Sequence, residues 1–234
     1  MNKLKNIKQI IFDADDTLWE NNIYYVQAVE SFVKLISRGG FSEAEIEHEF
    51  DEFEKQVVKE RGYGSVNFVY ILEEIYKMYL KRGLVPDNQN FEKIVKRFIE
   101  HPVTPPNMFD GVAETMEYLK IKYDLFILTK GDQEEQEGKI LRSGLDKYVV
   151  EYFVKPEKDD ETYSALIDEY NWKPEQTCMV GNSPKSDINP ALRAGMFAVH
   201  IPYRDTWKMD MEPLQTANGR LIILQNFQEL NTIF

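Results

Sequence analysis

Six short apolar runs constrain the fold of this chain more than any other feature of its sequence. Each run is followed by a polar or turn residue, and most of them are near-continuous rather than alternating. Such runs are typical of strands that are buried on both faces of a parallel sheet. The runs lie at residues 9–12, 125–128, 149–154, 177–180, 197–201 and 221–224.

Helical patterns lie between the later runs. Their apolar residues recur at the spacing of one helix face, and the last pattern has Pro190 in its first turn and stops at Gly195. The three patterns are Val112, Met116 and Leu119; Tyr163, Leu166, Ile167 and Tyr170; and residues 188–194. Strands that alternate with helices predict a doubly wound α/β fold.

About 90 residues after the first run break this alternation. They contain four helical stripes: Ala28, Phe32, Leu35 and Ile36; a helix from Ser42 to about Arg61; Phe68, Leu72, Ile75 and Tyr79; and Phe91, Ile94, Val95 and Phe98. Ser42 and Glu45 have the spacing of a capping box, and His101-Pro102 predicts the end of the fourth helix. We therefore predict a core of residues 1–18 and 108–234 and a four-helix insertion of residues 19–107, with a return hinge at Pro102, Pro105 and Pro106.

Composition excludes several classes of protein. The 234 residues carry a net charge of −12, which argues against nucleic-acid and anionic-membrane partners because both need a field of opposite sign. No apolar run approaches the roughly 20 residues that span a bilayer, and the apolar patch near the start is too short for a signal peptide. The single cysteine, Cys178, excludes an internal disulfide, so we expect a reducing, cytoplasmic setting.

Polar residues follow four successive runs at the predicted carboxyl edge of the sheet. Asp13, Asp15 and Asp16 follow the first; Thr129, Lys130 and Gly131 end the second; Lys155 and Lys158 follow the third; and Gly181, Asn182, Ser183 and Asp187 follow the fourth. Taken singly, these residues are equally typical of helix caps, solvated acids and surface lysines. Together they predict a site, because ligands of parallel sheets bind at this edge and converging acidic oxygens suit a hard metal such as Mg²⁺.

In these motifs the sequence resembles the haloacid dehalogenase superfamily of aspartate-nucleophile hydrolases. The resemblance rests on Ile11-Phe12-Asp13-Ala14-Asp15-Asp16-Thr17-Leu18, on Thr129, on a lysine before the Tyr163 helix, and on Val180-Gly181-Asn182-Ser183 with Asp187. The motifs occur in the family's order over nearly the whole chain. The resemblance implies a Rossmann-like core, and the helical insertion lies where that family carries an α-helical cap.

The resemblance also implies roles for these residues. Asp13 would attack phosphorus, and Asp15 would act as general acid and then general base. Thr129, Lys130 and the third-motif lysine would hold the phosphate. Mg²⁺ would bind Asp13, the backbone carbonyl of Asp15, Asp187 and Asn182, and the partner would be a small phosphorylated metabolite.

Two features depart from the family pattern or leave it ambiguous. Asn182 stands where the family usually has an aspartate, so Mg²⁺ would meet less charge and Asp187 would carry more of its binding. The third-motif lysine is ambiguous, because Lys155 precedes a proline as is common in the family, whereas Lys158 has the usual spacing to Tyr163. We prefer Lys158.

Several functions stay open beside Mg²⁺-dependent hydrolysis of a phosphomonoester. A phosphotransferase or mutase would use the same residues, whereas Asp15 argues against carbon–halogen hydrolysis, and the presence of both Asp13 and Asp15 argues against a non-catalytic binding protein. Trp19, Glu20, Asn21 and Asn22 follow the first motif and are candidates for substrate recognition, with hinge packing and an Asn22 helix cap as the alternative. Neither the substrate nor the oligomeric state is predicted.

Overall fold

The chain separates into two units. The computed structural model describes residues 4–100, 104–216 and 219–234. Residues up to Asn22 and from Pro106 onward form the core unit, and Ile23–Pro105 form the inserted unit. The predicted boundaries at residues 19 and 107 lie close to these positions. No helix within the described residues is both long and apolar enough to cross a membrane.

A parallel sheet is the centre of the core unit. Within the described residues its six strands are β1 (Gln9–Phe12), β2 (Asp124–Lys130), β3 (Glu151–Lys155), β4 (Thr177–Gly181), β5 (Phe197–His200) and β6 (Leu221–Ile223). Their order across the sheet is β3-β2-β1-β4-β5-β6, and every neighbouring pair is parallel. Each predicted apolar run overlaps one strand, and the predicted doubly wound, Rossmann-like α/β fold is confirmed.

Both faces of β1 are buried, which explains why its sequence does not alternate. Ile10 and Phe12 pack in one apolar cluster with Val112, whereas Ile11 packs in a second cluster with Phe126. Successive side chains of a strand point to opposite faces of its sheet. The fully buried part of the strand, Ile10 to Phe12, lies between two apolar layers and is therefore apolar at every position.

The strand order places a switch point beside β1. The chain runs from β1 to β2 and β3 on one side of the sheet and then continues with β4 on the other side of β1. Phe12 pairs with Ile127 of β2 and with Val180 of β4, so Asp13 emerges between the ends of these two strands. Crevices of this kind bind the ligands of open α/β sheets.

Four helices make up the described part of the insertion: α1 (Asn22–Ser37), α2 (Glu43–Arg61), α3 (Ser65–Lys81) and α4 (Asn88–Glu100). The predicted stripes form one apolar cluster that includes Phe32, Phe68 and Leu72. Helix α2 begins directly after Ser42, as predicted. The prediction of a capping box was wrong, because the Ser42 side chain makes no capping hydrogen bond. The predicted helix end at His101-Pro102, and with it the Pro102 part of the hinge, lies outside the described residues.

The core unit contains helices that the sequence predicted and one substantial helix that it did not. They are α5 (Val112–Leu119), α6 (Gln133–Ser143), α7 (Asp160–Glu169), α8 (Asn189–Arg193) and α9 (Leu230–Ile233), with a π-helical turn at Pro184–Ile188. The missed helix is α6, whose buried residues are Gln136, Lys139 and Ile140. A helix whose buried face is mostly polar has no apolar stripe for periodicity to detect.

Candidate active site

Asp13 lies at the carboxyl end of β1, and only 5% of its surface is exposed. The Thr17 hydroxyl donates a 2.7 Å hydrogen bond to Asp13 Oδ2, and the Lys158 ammonium donates to Asp13 Oδ1. The Asp13 backbone N–H donates to the Val180 carbonyl at 2.9 Å. The sheet therefore fixes the backbone of Asp13, and two side chains fix its carboxylate.

Lys158 connects Asp13 to a second carboxylate. Its ammonium lies 2.5 Å from Asp187 Oδ1 and 3.3 Å from the Leu128 carbonyl oxygen, and 3% of the residue is exposed. Lys155, the alternative third-motif lysine, is half-buried at the end of β3. The structure thus brings Lys158, the lysine we prefer, to the predicted nucleophile.

Asp187 is held by the turn that follows β4. Its Oδ2 accepts a 2.9 Å hydrogen bond from the Ser183 backbone N–H, and its surface is fully buried. The turn is π-helical, a geometry that often occurs at functional sites. Gly181 makes the approach possible, because a Cβ on this residue would lie 2.3 Å from Asp187 Oδ2.

Two buried carboxylates share one ammonium in this cluster. Burial raises the pKa of Asp13, and the charge of Asp187 raises it further. Burial also raises the pKa of Asp187. Burial alone would lower the pKa of Lys158, but the two carboxylates outweigh it and the net pKa is raised. Lys158 therefore stays charged, whereas burial favours the neutral form of both carboxyl groups.

Asp15 points its carboxylate at a different lysine. Lys139 Nζ lies 2.7 Å from both carboxylate oxygens, while Trp19 Nε1 donates to Oδ1 at 2.6 Å and Gln136 Nε2 donates to Oδ2 at 2.9 Å. Burial would raise the pKa of Asp15, but the Lys139 charge and these hydrogen bonds outweigh it and lower the pKa.

The two predicted phosphate ligands on β2 have different surroundings. Thr129 is buried near the end of the strand, where it pairs with Val154 of β3. The Lys130 ammonium forms an ion pair of 2.5 Å with Asp210 Oδ1 and a 3.0 Å hydrogen bond with Ser186 Oγ. Any role of Lys130 toward a substrate would have to share its ammonium with Asp210.

Asn182 lies beside Asp13, bridged by Thr17. The Thr17 hydroxyl lies 3.3 Å from Asn182 Oδ1 and accepts a 3.1 Å hydrogen bond from the Asn182 backbone N–H. The Asn182 amide nitrogen donates to Thr206 Oγ1 at 3.0 Å, which turns the amide oxygen toward Thr17. Within the described residues, no three His, Cys, Asp or Glu side chains form a cluster that could hold a metal.

Residues 7–195 match the family model of haloacid dehalogenase-like hydrolases. The chain belongs to this family. The matched residues include strands β1 to β4 and all the site residues named above except Thr206 and Asp210. The resemblance found in the motifs of the sequence is thereby confirmed, and so is the hydrolase class of the enzyme.

Curated and solved members of the family resemble this haloacid dehalogenase-like chain over most of its length. The glyceraldehyde 3-phosphate phosphatase of Methanopyrus kandleri is 26% identical and covers 88% of this chain and 88% of its own length. The glyceraldehyde 3-phosphate phosphatase of Pyrococcus furiosus is 25% identical, and the match covers 92% of this chain and 89% of the length of that protein. A haloacid dehalogenase-like hydrolase structure from Xanthomonas campestris has a TM-score of 0.75 at 26% identity. The match covers 94% of this chain and 91% of that chain.

Sequence reasoning missed two residues at this site, Gln136 and Lys139. Both lie on α6 and both donate to Asp15. A buried lysine is rare unless it is paired, but sequence alone does not show which lysines are buried. Within the motif Asp13-Ala14-Asp15-Asp16-Thr17, the bridging role of Thr17 also became visible only with the structure.

The four residues after the first motif have partners inside the core unit. Trp19 is fully buried and donates to Asp15, and Asn21 Oδ1 accepts a 3.2 Å hydrogen bond from Lys139 Nζ. Glu20 Oε2 accepts a 2.7 Å hydrogen bond from the side chain of Asn107, and Asn22 Nδ2 donates to the Asp205 carbonyl at 2.5 Å. These contacts favour packing over substrate recognition as the role of these side chains.

The close approach of Gly181 and Asp187 gives a prediction about stability. In Gly181→Ala the added methyl must displace the fully buried Asp187, so we expect a loss of about 1–3 kcal/mol in the free energy of unfolding. Gly138→Ala is the control, because its new methyl meets only the flexible end of Arg142 and alanine favours a helix by about 0.5–1 kcal/mol. Urea denaturation followed by circular dichroism measures both, and equal unfolding free energies would refute the packing argument.

Proposed function

We propose that this protein is a phosphatase that uses Mg²⁺ to hydrolyse a small phosphomonoester through an aspartyl-phosphate on Asp13. The observation that supports this most is the buried cluster of Asp13, Lys158 and Asp187 at the switch point of the sheet, in a chain of a hydrolase family. Relatives from Methanopyrus kandleri, Pyrococcus furiosus and Methanothermobacter thermautotrophicus are named glyceraldehyde 3-phosphate phosphatases.

The first step forms the covalent intermediate. An Asp13 carboxylate oxygen attacks phosphorus and the bond between phosphorus and the ester oxygen breaks. Asp15, which must first take up a proton from solvent because its pKa is lowered, gives that proton to the departing oxygen. The product alcohol leaves. Asp13 suits this role because the sheet and two hydrogen-bond donors fix its carboxylate, so little reorganisation precedes attack.

The second step returns the enzyme to its starting state. Asp15 accepts a proton from a water molecule as its oxygen attacks the phosphorus, and the bond to Asp13 breaks to release inorganic phosphate. Asp15 therefore loses a proton in the first step and gains one in the second. The two steps together consume one water and leave every residue unchanged.

Lys158 and Thr129 would hold the oxygens of the phosphoryl group. An ammonium has three donors, and the weakest of the three bonds that Lys158 makes is the 3.3 Å contact with the Leu128 carbonyl. That donor can turn to a phosphate oxygen while the bonds to Asp13 and Asp187 persist. Phosphoryl transfer depends mainly on positioning and charge neutralisation, which these residues supply.

The donor set fits Mg²⁺. Asp13, Asp187 and Asn182 offer hard oxygen atoms, and the backbone carbonyl of Asp15 is a fourth candidate ligand. A cation at this place would stabilise the charged forms of both carboxyl groups, which burial disfavours and which share the Lys158 ammonium. When bound, the ion would neutralise charge on the transferring phosphoryl group. A relative of known structure, the putative hydrolase YfnB from Bacillus subtilis, was solved with magnesium, with a TM-score of 0.61 at 19% identity.

The relatives suggest a first substrate to test. Glyceraldehyde 3-phosphate is a small phosphomonoester, which agrees with the class of substrate that the motifs imply. Transfer of the phosphoryl group to a second alcohol instead of water would use the same residues, so a phosphotransferase is the alternative. Solved dehalogenases also share the fold, at 17% identity. Carbon–halogen hydrolysis releases a halide rather than an alkoxide, so it would leave Asp15 without a leaving oxygen to protonate.

The nucleophile is tested by Asp13→Asn. The amide keeps the shape but cannot attack, so we expect kcat to fall roughly 10³-fold or more, as for nucleophiles of other enzymes. Release of phosphate from glyceraldehyde 3-phosphate and from an aryl phosphate is the measurement. Asp124→Asn, an exposed aspartate at the opposite end of the sheet, is the matched control and should retain activity. A tenth of wild-type kcat in Asp13→Asn would exclude the covalent mechanism.

Metal dependence is tested by removing divalent ions with EDTA. Activity should disappear and return with Mg²⁺, but not with equimolar Ca²⁺, which prefers more ligands and a looser geometry. Asp187→Asn removes a carboxylate from the donor set and should raise the Mg²⁺ concentration needed for half-maximal activity, while Asp124→Asn leaves it unchanged. Full activity in EDTA would rule out the Mg²⁺ requirement.

The two candidate lysines are separated by Lys158→Ala and Lys155→Ala. Loss of Lys158 leaves Asp13 and Asp187 buried without their shared ammonium, so kcat should fall far more than in Lys155→Ala. A lower melting temperature should accompany the loss, because a buried charge without its partner costs about 3–5 kcal/mol. The opposite order of kcat, measured on protein with a native circular dichroism spectrum, would assign the third motif to Lys155.

A further inference from the structure

Helix α6 presents two polar side chains to the protein interior. Gln136 is 5% exposed and Lys139 is 2% exposed, and their spacing of three residues puts both on one helix face. Lysine and glutamine are normally exposed, because removing their polar groups from water is costly without partners. The partner that they share is Asp15.

The Asp15 carboxylate is saturated with hydrogen bonds. It accepts two from Lys139, one from Gln136 and one from Trp19, and a carboxylate offers about four lone-pair sites. Donors from α6 and from the segment after β1 therefore hold both oxygens. A side chain held in this way has one orientation rather than several.

The side chain of Gln136 packs closely against Gly131. Gly131, at a φ of +144°, leaves room for it, because a Cβ there would lie 2.9 Å from Gln136 Nε2. The other end of the amide, Oε1, is buried and has no hydrogen-bond partner in the described structure. The hydrogen bond that Gln136 Nε2 donates to Asp15 Oδ2 at 2.9 Å is therefore the polar contact that accounts for a buried glutamine at this position.

Lys139 has a second acceptor within reach. Asn21 Oδ1 lies 3.2 Å from its ammonium, on the segment that follows the first motif. The ammonium can therefore stay bonded to Asn21 if one of its two bonds to Asp15 is given up. The Asp15 oxygen that loses this bond can carry the proton that is donated to a substrate oxygen, while the remaining donors keep the orientation of the carboxyl group.

We propose that Lys139 and Gln136 are positioning residues that orient the Asp15 carboxyl group toward the leaving oxygen of the substrate. This inference rests on the proposed function, because it assigns the two residues to the proton donor of the first step. Neither residue needs to touch the substrate. Their effect on catalysis passes through Asp15, so it depends on how much the leaving group needs a proton.

Two substrates with different leaving groups test this role. An alkyl phosphomonoester such as glycerol phosphate needs a proton on its departing oxygen, whereas p-nitrophenyl phosphate releases a stable anion. We compare kcat/KM, which stops at the first irreversible step and so leaves out hydrolysis of the aspartyl-phosphate. In Lys139→Met it should fall roughly 30-fold or more for the alkyl ester and less than about 3-fold for the aryl ester, since proton transfer by a positioned acid contributes 10²–10⁴-fold.

Matched variants separate this role from a structural one. Lys147→Met makes the same substitution at an exposed lysine and should keep the wild-type ratio of the two kcat/KM values. Gln136→Met should show the same selective loss as Lys139→Met, but smaller, and Lys139→Arg should restore part of it. Equal losses for both esters in Lys139→Met and in Gln136→Met would show that these residues only support the fold, and would overturn the inference.

A second measurement does not depend on activity. The Trp19 indole N–H donates to Asp15, so its NMR resonance reports the position of the carboxylate. Lys139→Met should shift the Trp19 signal and leave that of Trp172 in place, with Trp19→Phe to assign it. An unchanged Trp19 signal would overturn the inference. If the wild-type protein hydrolyses neither these two esters nor glyceraldehyde 3-phosphate, the proposed function fails, and the Trp19 signal still decides whether Lys139 positions Asp15.

Discussion

A single buried ammonium holds together the chain segments that build the site. Lys158 comes from the loop before α7, and it binds Asp13 after β1, Asp187 after β4 and the Leu128 carbonyl on β2. These segments are far apart in sequence and meet only because the strand order puts β1 between β2 and β4. The sheet therefore determines where the charges lie, and Lys158 makes their proximity tolerable in a region closed to water.

A second buried lysine explains how the turn after β1 accommodates so many acids. Asp13 and Asp15 are separated by one residue, yet each binds its own ammonium, from Lys158 on one side and Lys139 on the other. Their nearest acidic neighbour, Asp16, accepts the backbone N–H groups of Asn21 and Asn22 instead. In a protein with a net charge of −12, these two ammonium groups offset part of the negative charge that would repel an anionic substrate.

The outcome of sequence reasoning followed from which physical signals a sequence carries. Continuous apolar runs identified the strands, because burial on both faces leaves no room for polar residues, and the spacing to Tyr163 favoured Lys158 over Lys155. Helix α6 and Lys139 escaped detection because the buried face of that helix is mostly polar, so its stability depends on a partner from a distant segment. Recognition and packing stayed open for Trp19 and Asn21, because sequence does not show that Trp19 bonds Asp15 and that Asn21 bonds Lys139.

The segment between β5 and β6 shows the same limit of periodicity in another place. Its described residues, 201–216 and 219–220, have little regular structure, yet Asn182 bonds Thr206, Ser186 bonds Asp210, and Asn189 bonds Glu212. All three donors belong to the turn after β4 or to the start of α8. Side-chain hydrogen bonds to the turn after β4 and to α8 therefore hold this segment in place, as backbone hydrogen bonds hold a helix or a strand. Because Asp210 also pairs with Lys130, the segment connects the ends of β2 and β4. A substitution in the turn that carries Asp187 would therefore disturb the ends of both strands.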